Sequence, residues 1–109
     1  MKAKPVVLRS LAERDVDEAI DHYLADGGTT AARVFIEALE RAFLHLGRRP
    51  ATGSPRYAQE LVLPGLRYWP LKRYPYLVFY VERDEHVDVW RVLDGRRDVP
   101  AWMQNPEER

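Results

Sequence analysis

The chain is 109 residues long, 46% hydrophobic and 31% charged, with no net charge at neutral pH. That size bounds it to a single domain, 1–109, with a real core; the composition excludes disorder, and no apolar run is long enough for a bilayer span. The absence of cysteine excludes disulfides, thiolate metal sites and a cysteine nucleophile.

Pro5–Arg9 is apolar and β-branched and reads as a first strand. The basic residues ahead of it are followed by too short an apolar run for a signal peptide, so the chain reads as cytoplasmic. Ser10 and Glu13 have the spacing of a capping box and predict a helix start. Val16, Ala19, Ile20, Tyr23 and Leu24 then form one helical stripe, with the carboxylates of this helix on its outer face, and Gly27–Gly28 ends it. Thr29 or Thr30 caps a second helix, whose apolar face is Ala31, Phe35, Ala38, Leu39, Ala42, Phe43 and Leu46, stopped by Gly47 and Pro50. Two amphipathic helices across a tight Gly-Gly-Thr link predict an antiparallel hairpin.

Residues 48–65 are rich in Pro and Gly and read as a connection holding at most a short element over Tyr57–Leu63. A three-stranded meander follows. Leu66–Leu71 contains Pro70, which demands an edge or a bulge. Tyr76–Val81 alternates Leu77, Phe79 and Val81 with Tyr76, Val78 and Tyr80. His86–Leu93 places Val87, Val89 and Leu93 on one face and Trp90 and Val92 on the other. Period 2 puts Arg91 beside Val87 and Val89, where an arginine makes a buried ion pair with a helix carboxylate. After an Asp94–Gly95 turn, Asp98 caps a short helix near Pro100–Met103, and 104–109 reads as a frayed tail. The fold class is α+β in the order β-α-α-β-β-β: a helical hairpin packed on one face of a mainly antiparallel four-stranded sheet, with a short C-terminal helix.

No Gly-rich phosphate loop is present, no Ser-His-Asp set can be assembled, and His22 with Asp26 has no second pair to complete a metal site, so neither a cofactor nor a metal is expected. The zero net charge hides an imbalance: residues 1–47 hold six Lys/Arg against eight Asp/Glu, and residues 48–97 hold ten against six. The basic half either decorates a solvated face or meets an anionic target. Its informative residues are Arg67, Lys72, Arg73, Tyr80, Arg91, Arg96 and Arg97, interleaved with Tyr68, Trp69, Tyr74 and Tyr76. Such sets suit phosphates and unstacked bases, and they suit a protein partner as well.

The element order, the length and the stretch Gly65–Met103 resemble the RelE/ParE toxin superfamily, its ParE branch in particular. The most specific part is the end, where the family commonly shows a strand followed by R-V-L-H-G-x-R-D; here it is Arg91-Val92-Leu93-Asp94-Gly95-Arg96-Arg97-Asp98. The resemblance implies the toxin half of a bacterial type II toxin–antitoxin module of the kind often carried for plasmid stabilisation. It implies a ParD-like antitoxin as partner, operator DNA met only through that antitoxin, and no membrane. ParE-like members poison DNA gyrase; RelE-like members cut mRNA on the ribosome; a detoxified member only binds its antitoxin. Asp94 stands where the family has His, and the chain is neutral where a ribosome-dependent nuclease needs strong basicity. Both departures favour a gyrase inhibitor over an endoribonuclease. The catalytic residues of the nuclease alternative cannot be named, and Arg67, Lys72, Arg73, Tyr80, Arg91, Arg96 and Arg97 are the candidates for contacting the target.

Overall fold

A computed structural model describes residues 2–103, and the tail expected at 104–109 lies outside them. Strand β1 (Val6–Leu8) leads into α1 (Ser10–Arg48), a 3-10 turn (Pro50–Thr52) and α2 (Arg56–Glu60). Strands β2 (Leu66–Pro70), β3 (Tyr76–Glu82) and β4 (Val87–Asp94) follow, then α3 (Val99–Met103). The sheet order is β1-β4-β3-β2. β1 runs parallel to β4, with Val6 opposite Val87 and Leu8 opposite Val89, and the other pairings are antiparallel. β2 is an edge strand, as its Pro70 requires.

α1 is broken at Gly28, whose φ of 75° and ψ of −167° are non-helical and tolerable to glycine. A straight helix of 39 residues would be about 58 Å long, whereas the longest dimension of the protein is 38 Å. Tyr23 and Phe35 would stand about 18 Å apart along such a helix; their rings instead stack at 4.9 Å. The element is therefore the expected antiparallel hairpin, with arms 10–27 and 29–48. Its start differs from expectation. Arg9 occupies the N-cap position, and the Glu13 N–H bonds the Arg9 carbonyl at 3.0 Å, so Ser10 lies inside the first turn and no capping box forms.

The hairpin buries Ala12, Ala19, Phe35, Leu39, Ala42 and Leu46 against Val78, Tyr80, Val87, Val89 and Val92 of the sheet. Each fully buried large apolar side chain contributes roughly 1.5–3 kcal/mol. The opposite sheet face is covered too, contrary to a one-sided arrangement: Leu66, Phe79, Val81 and Leu93 pack with Val99 and Met103 of α3 and with Tyr57, Ala58 and Leu61 around α2.

A β-bulge decides which residues of β4 face which layer. Phe79 is opposite Arg91 and Tyr80 is opposite Val89, so Trp90 is the extra residue. The slip moves Val92 onto the hairpin side with Val87 and Val89, and sends Leu93 to the other side. Strict alternation had these two reversed. β3 has no extra residue and alternates as its sequence predicts.

Candidate functional site

β1 covers the edge of β4 only as far as Val89. Beyond that point Asp15, from the first arm of the hairpin, takes over. Its carboxylate accepts the Val92 N–H at 3.0 Å and both Nε and Nη2 of Arg91 at 2.8 Å. The pair is nearly dry, with side chains 9% and 7% exposed. The predicted buried ion pair of Arg91 is thus present, but Asp15 is not on a solvated outer face. Arg91 also donates to the Trp102 carbonyl at 2.8 Å, which ties α3 to the hairpin.

The terminal motif continues from there. Asp94 ends β4 opposite Tyr76. Its carboxylate accepts the backbone N–H, Nε and Nη2 of Arg96 at 2.9, 3.0 and 2.6 Å. The hydrogen bonds from Arg96 outweigh partial burial and hold the Asp94 carboxyl at a pKa of about 2. Asp94 is an anion throughout the physiological range and a poor proton acceptor there. Arg97 is exposed and lies 4.9 Å above the Trp102 ring. Asp98 caps α3, its carboxylate accepting the Ala101 N–H at 3.3 Å. A cleft of about 240 Å³ opens beside this motif between Glu18 and His22 of the hairpin and Tyr76, Asp94, Arg97 and Trp102. Burial first, then the neighbouring tyrosines and Asp94, push the Tyr23 phenol above 10.0; burial and then Asp94 do the same to Tyr76. Both are neutral O–H groups at physiological pH.

The structure divides the predicted contact residues into four sets. Tyr80 and Arg91 are buried, and their side chains are closed to a partner. The Tyr80 hydroxyl donates to the Pro50 carbonyl at 2.6 Å and accepts the Gly53 N–H at 3.0 Å. Gly53 is required there, because a Cβ would collide with that hydroxyl and stand 2.9 Å from the Tyr68 carbonyl. Arg67 is half-buried and donates to the Gly53 carbonyl at 2.7 Å, bracing the same loop. Arg96 and Arg97 belong to the exposed terminal motif. Lys72 and Arg73 are exposed in the β2–β3 turn, beside a separate groove of about 410 Å³ with Val34, Ala38, Arg41 and Tyr74. Sequence reasoning missed Val34 and Arg41. Their signal was present: Val34 lies outside the apolar stripe of the second arm, and Ala38 and Arg41 follow it at i+4 and i+7.

His45, in the last turn of the second arm, stacks on Trp69 at 4.3 Å and shares a 2.8 Å hydrogen bond with the Thr52 hydroxyl. Because that hydroxyl donates to the Arg49 carbonyl, the His45 Nε2–H is the donor. Among the described residues, no group of three or more His, Asp or Glu could hold a metal ion, and no helix is long and apolar enough to cross a membrane.

The family model for the ParE toxin of type II toxin–antitoxin systems, parDE, matches residues 6–99. A solved structure titled the chromosomal ParDE toxin–antitoxin system from P. aeruginosa superposes with a TM-score of 0.68 at 20% identity, over 83% of this chain and 94% of that one. At that identity the likeness is one of fold. No curated protein matches the chain in sequence. The matched region takes in both arms of the hairpin, the whole sheet and the terminal motif, and the chain belongs to the ParE toxin family of type II toxin–antitoxin systems.

Proposed function

We propose that this chain acts in the cytoplasm as a protein-binding inhibitor of DNA gyrase, neutralised by a ParD-like antitoxin that carries the complex to its operator. The observation that carries the choice of inhibitor over nuclease is the Asp94–Arg96 pair. Metal-independent RNA cleavage needs one group to take a proton from the attacking hydroxyl and another to protonate the leaving oxygen. At the position where the superfamily motif has His, this chain has a carboxylate held at a pKa of about 2. Tyr80 and Arg91 are occupied inside the fold, and the exposed cations are split between the terminal motif and the β2–β3 turn. That distribution suits a broad binding surface better than a compact catalytic site.

The test is induction of the chain without its antitoxin, scoring growth, DNA damage and translation separately. The proposal expects growth arrest, gyrase-dependent DNA breaks and an SOS response while translation initially continues. Immediate translational arrest with cleaved mRNA would instead support the endoribonuclease.

A further inference from the structure

Between Glu40 and Glu82 the sequence carries seven Lys/Arg against a single carboxylate, Glu60. Arg48, Arg49 and Arg56 of this run are exposed and stand at the two ends of segment 48–56, which joins the second arm to α2. Among the described residues none of the three forms an ion pair, not even Arg56 with Glu60 one helical turn beyond it. Glu40 lies about 12 Å back along the arm from Arg48. Lys4, Arg9, Arg83, Arg91 and Arg96, by contrast, each hold a carboxylate.

The backbone that carries these cations is held in place. The Tyr80 hydroxyl bridges the Pro50 carbonyl and the Gly53 N–H, and the Thr52 hydroxyl donates to the Arg49 carbonyl. Ser54 exchanges two backbone hydrogen bonds of 2.9 Å with Tyr68 at the edge of β2. Arg67 donates to the Gly53 carbonyl and adds a half-buried fourth cation beneath the segment. Little order has to be imposed on such a surface when it binds. The residues between the cations are Pro50, Ala51, Thr52, Gly53, Ser54 and Pro55, which offer no large apolar side chain to a protein partner. Leu44, one turn before Arg48, belongs to a groove on the β1 side. The nearby rings are engaged with one another: Tyr57, Tyr68 and Phe79 pack at 5.7–5.8 Å, and Trp69 stacks on His45. Unstacked bases therefore find no open platform, which disfavours a single strand. Arg56 lies 5.2 Å over the Tyr57 ring, so its guanidinium face is used and its N–H edge is left to solvent. Exposed guanidinium edges on a fixed loop, without base-stacking rings, match the phosphates of a duplex.

We infer that segment 48–56 contacts the phosphate backbone of duplex DNA directly, through Arg48, Arg49 and Arg56. The inference deepens the gyrase reading and rests on it for where the duplex is met: the chain touches the DNA that gyrase holds as well as the enzyme. Arg67 acts there by positioning the loop.

The experiment titrates a fluorescent DNA duplex with the chain alone, below its melting transition and over a range of salt. It uses wild type, Arg49→Gln, Arg56→Gln and, as a control on the hairpin, Arg33→Gln. Three phosphate contacts predict that wild-type affinity falls about fortyfold between 50 and 200 mM salt. Arg49→Gln and Arg56→Gln each remove one contact and should reduce that fall to about twelvefold, while Arg33→Gln behaves as wild type. Absence of duplex binding at 50 mM salt overturns the inference. So does a salt dependence that neither variant changes, or tighter binding of a single-stranded RNA than of the duplex. The same variants are then compared for DNA breaks trapped by gyrase, where Arg49→Gln and Arg56→Gln should give fewer than wild type. Breaks equal in all variants overturn this surface alone. Arginine-dependent duplex binding by a wild type that leaves gyrase unimpaired upholds the DNA contact and overturns the gyrase reading.

Discussion

Arg91 and Asp15 lie 76 residues apart in the chain and meet through two 2.8 Å hydrogen bonds with almost no solvent around them. The pair does three things at once: it ties the hairpin to β4, caps the edge of β4 at Val92, and anchors α3 through the Trp102 carbonyl. Asp15→Ala removes the bidentate carboxylate partner of a buried guanidinium and the acceptor of the Val92 N–H. It should cost about 3–5 kcal/mol in chemical denaturation. Asp15→Ala combined with Arg91→Met should cost less than Asp15→Ala alone, since no buried charge then remains. A loss below about 1 kcal/mol for the single variant would contradict the account.

The acid limb of stability should carry the signature of Asp94 and Asp88. Hydrogen bonds from Arg96 bring Asp94 down from the ordinary 3.8 to about 2. Asp88 is raised by burial, but bonds from Arg9, Trp90 and Arg83 outweigh this and leave it lowered. A carboxyl whose pKa is depressed by folding stabilises the protein fully above its unfolded value. That contribution is lost as pH falls through the folded value. Stability contributed by these two groups should therefore be level above about pH 4 and fall towards pH 2, the span between the unfolded and folded values of Asp94. Asp94→Asn should flatten part of that fall. Carboxyl NMR titration should place Asp94 near its ordinary value once Arg96 is replaced by Ala.

Tyr80 was a contact candidate and proves to be a brace. Its ring is fully buried, and its hydroxyl serves both the Pro50 carbonyl and the Gly53 N–H. Tyr80→Phe should cost about 1–3 kcal/mol and speed hydrogen exchange at Gly53. Antitoxin binding, measured below the melting transition, should be unchanged, because no part of Tyr80 reaches the surface.

Much of the fold was legible because its signals are local. The stripes of Val16–Leu24 and Ala31–Leu46 and the Gly27–Gly28 break specify the hairpin, and Pro70 places β2 at an edge. Legibility failed where a single residue changes the register. Nothing in the alternation of Val87–Leu93 marks Trp90 as a bulge, yet that one insertion exchanges the faces of Val92 and Leu93. Ser10 offered a plausible cap, but the parallel pairing of β1 with β4, which continues with the Arg9 N–H bonding the Val89 carbonyl, sets the helix to begin one position earlier. At the candidate site, residue type alone could not separate cations spent inside the fold from cations left at its surface. Arg91 and Arg73 look alike in sequence; one has Asp15 beneath it, and the other stands at a strained turn facing solvent.

The most direct test is reconstitution of purified chain with DNA gyrase, ATP and supercoiled plasmid, followed by detergent and protease to reveal trapped breaks. The account predicts linear DNA that increases with the amount of the chain and is abolished by prior addition of the antitoxin. Unimpaired gyrase, together with mRNA cut by the same preparation on programmed ribosomes, would contradict it.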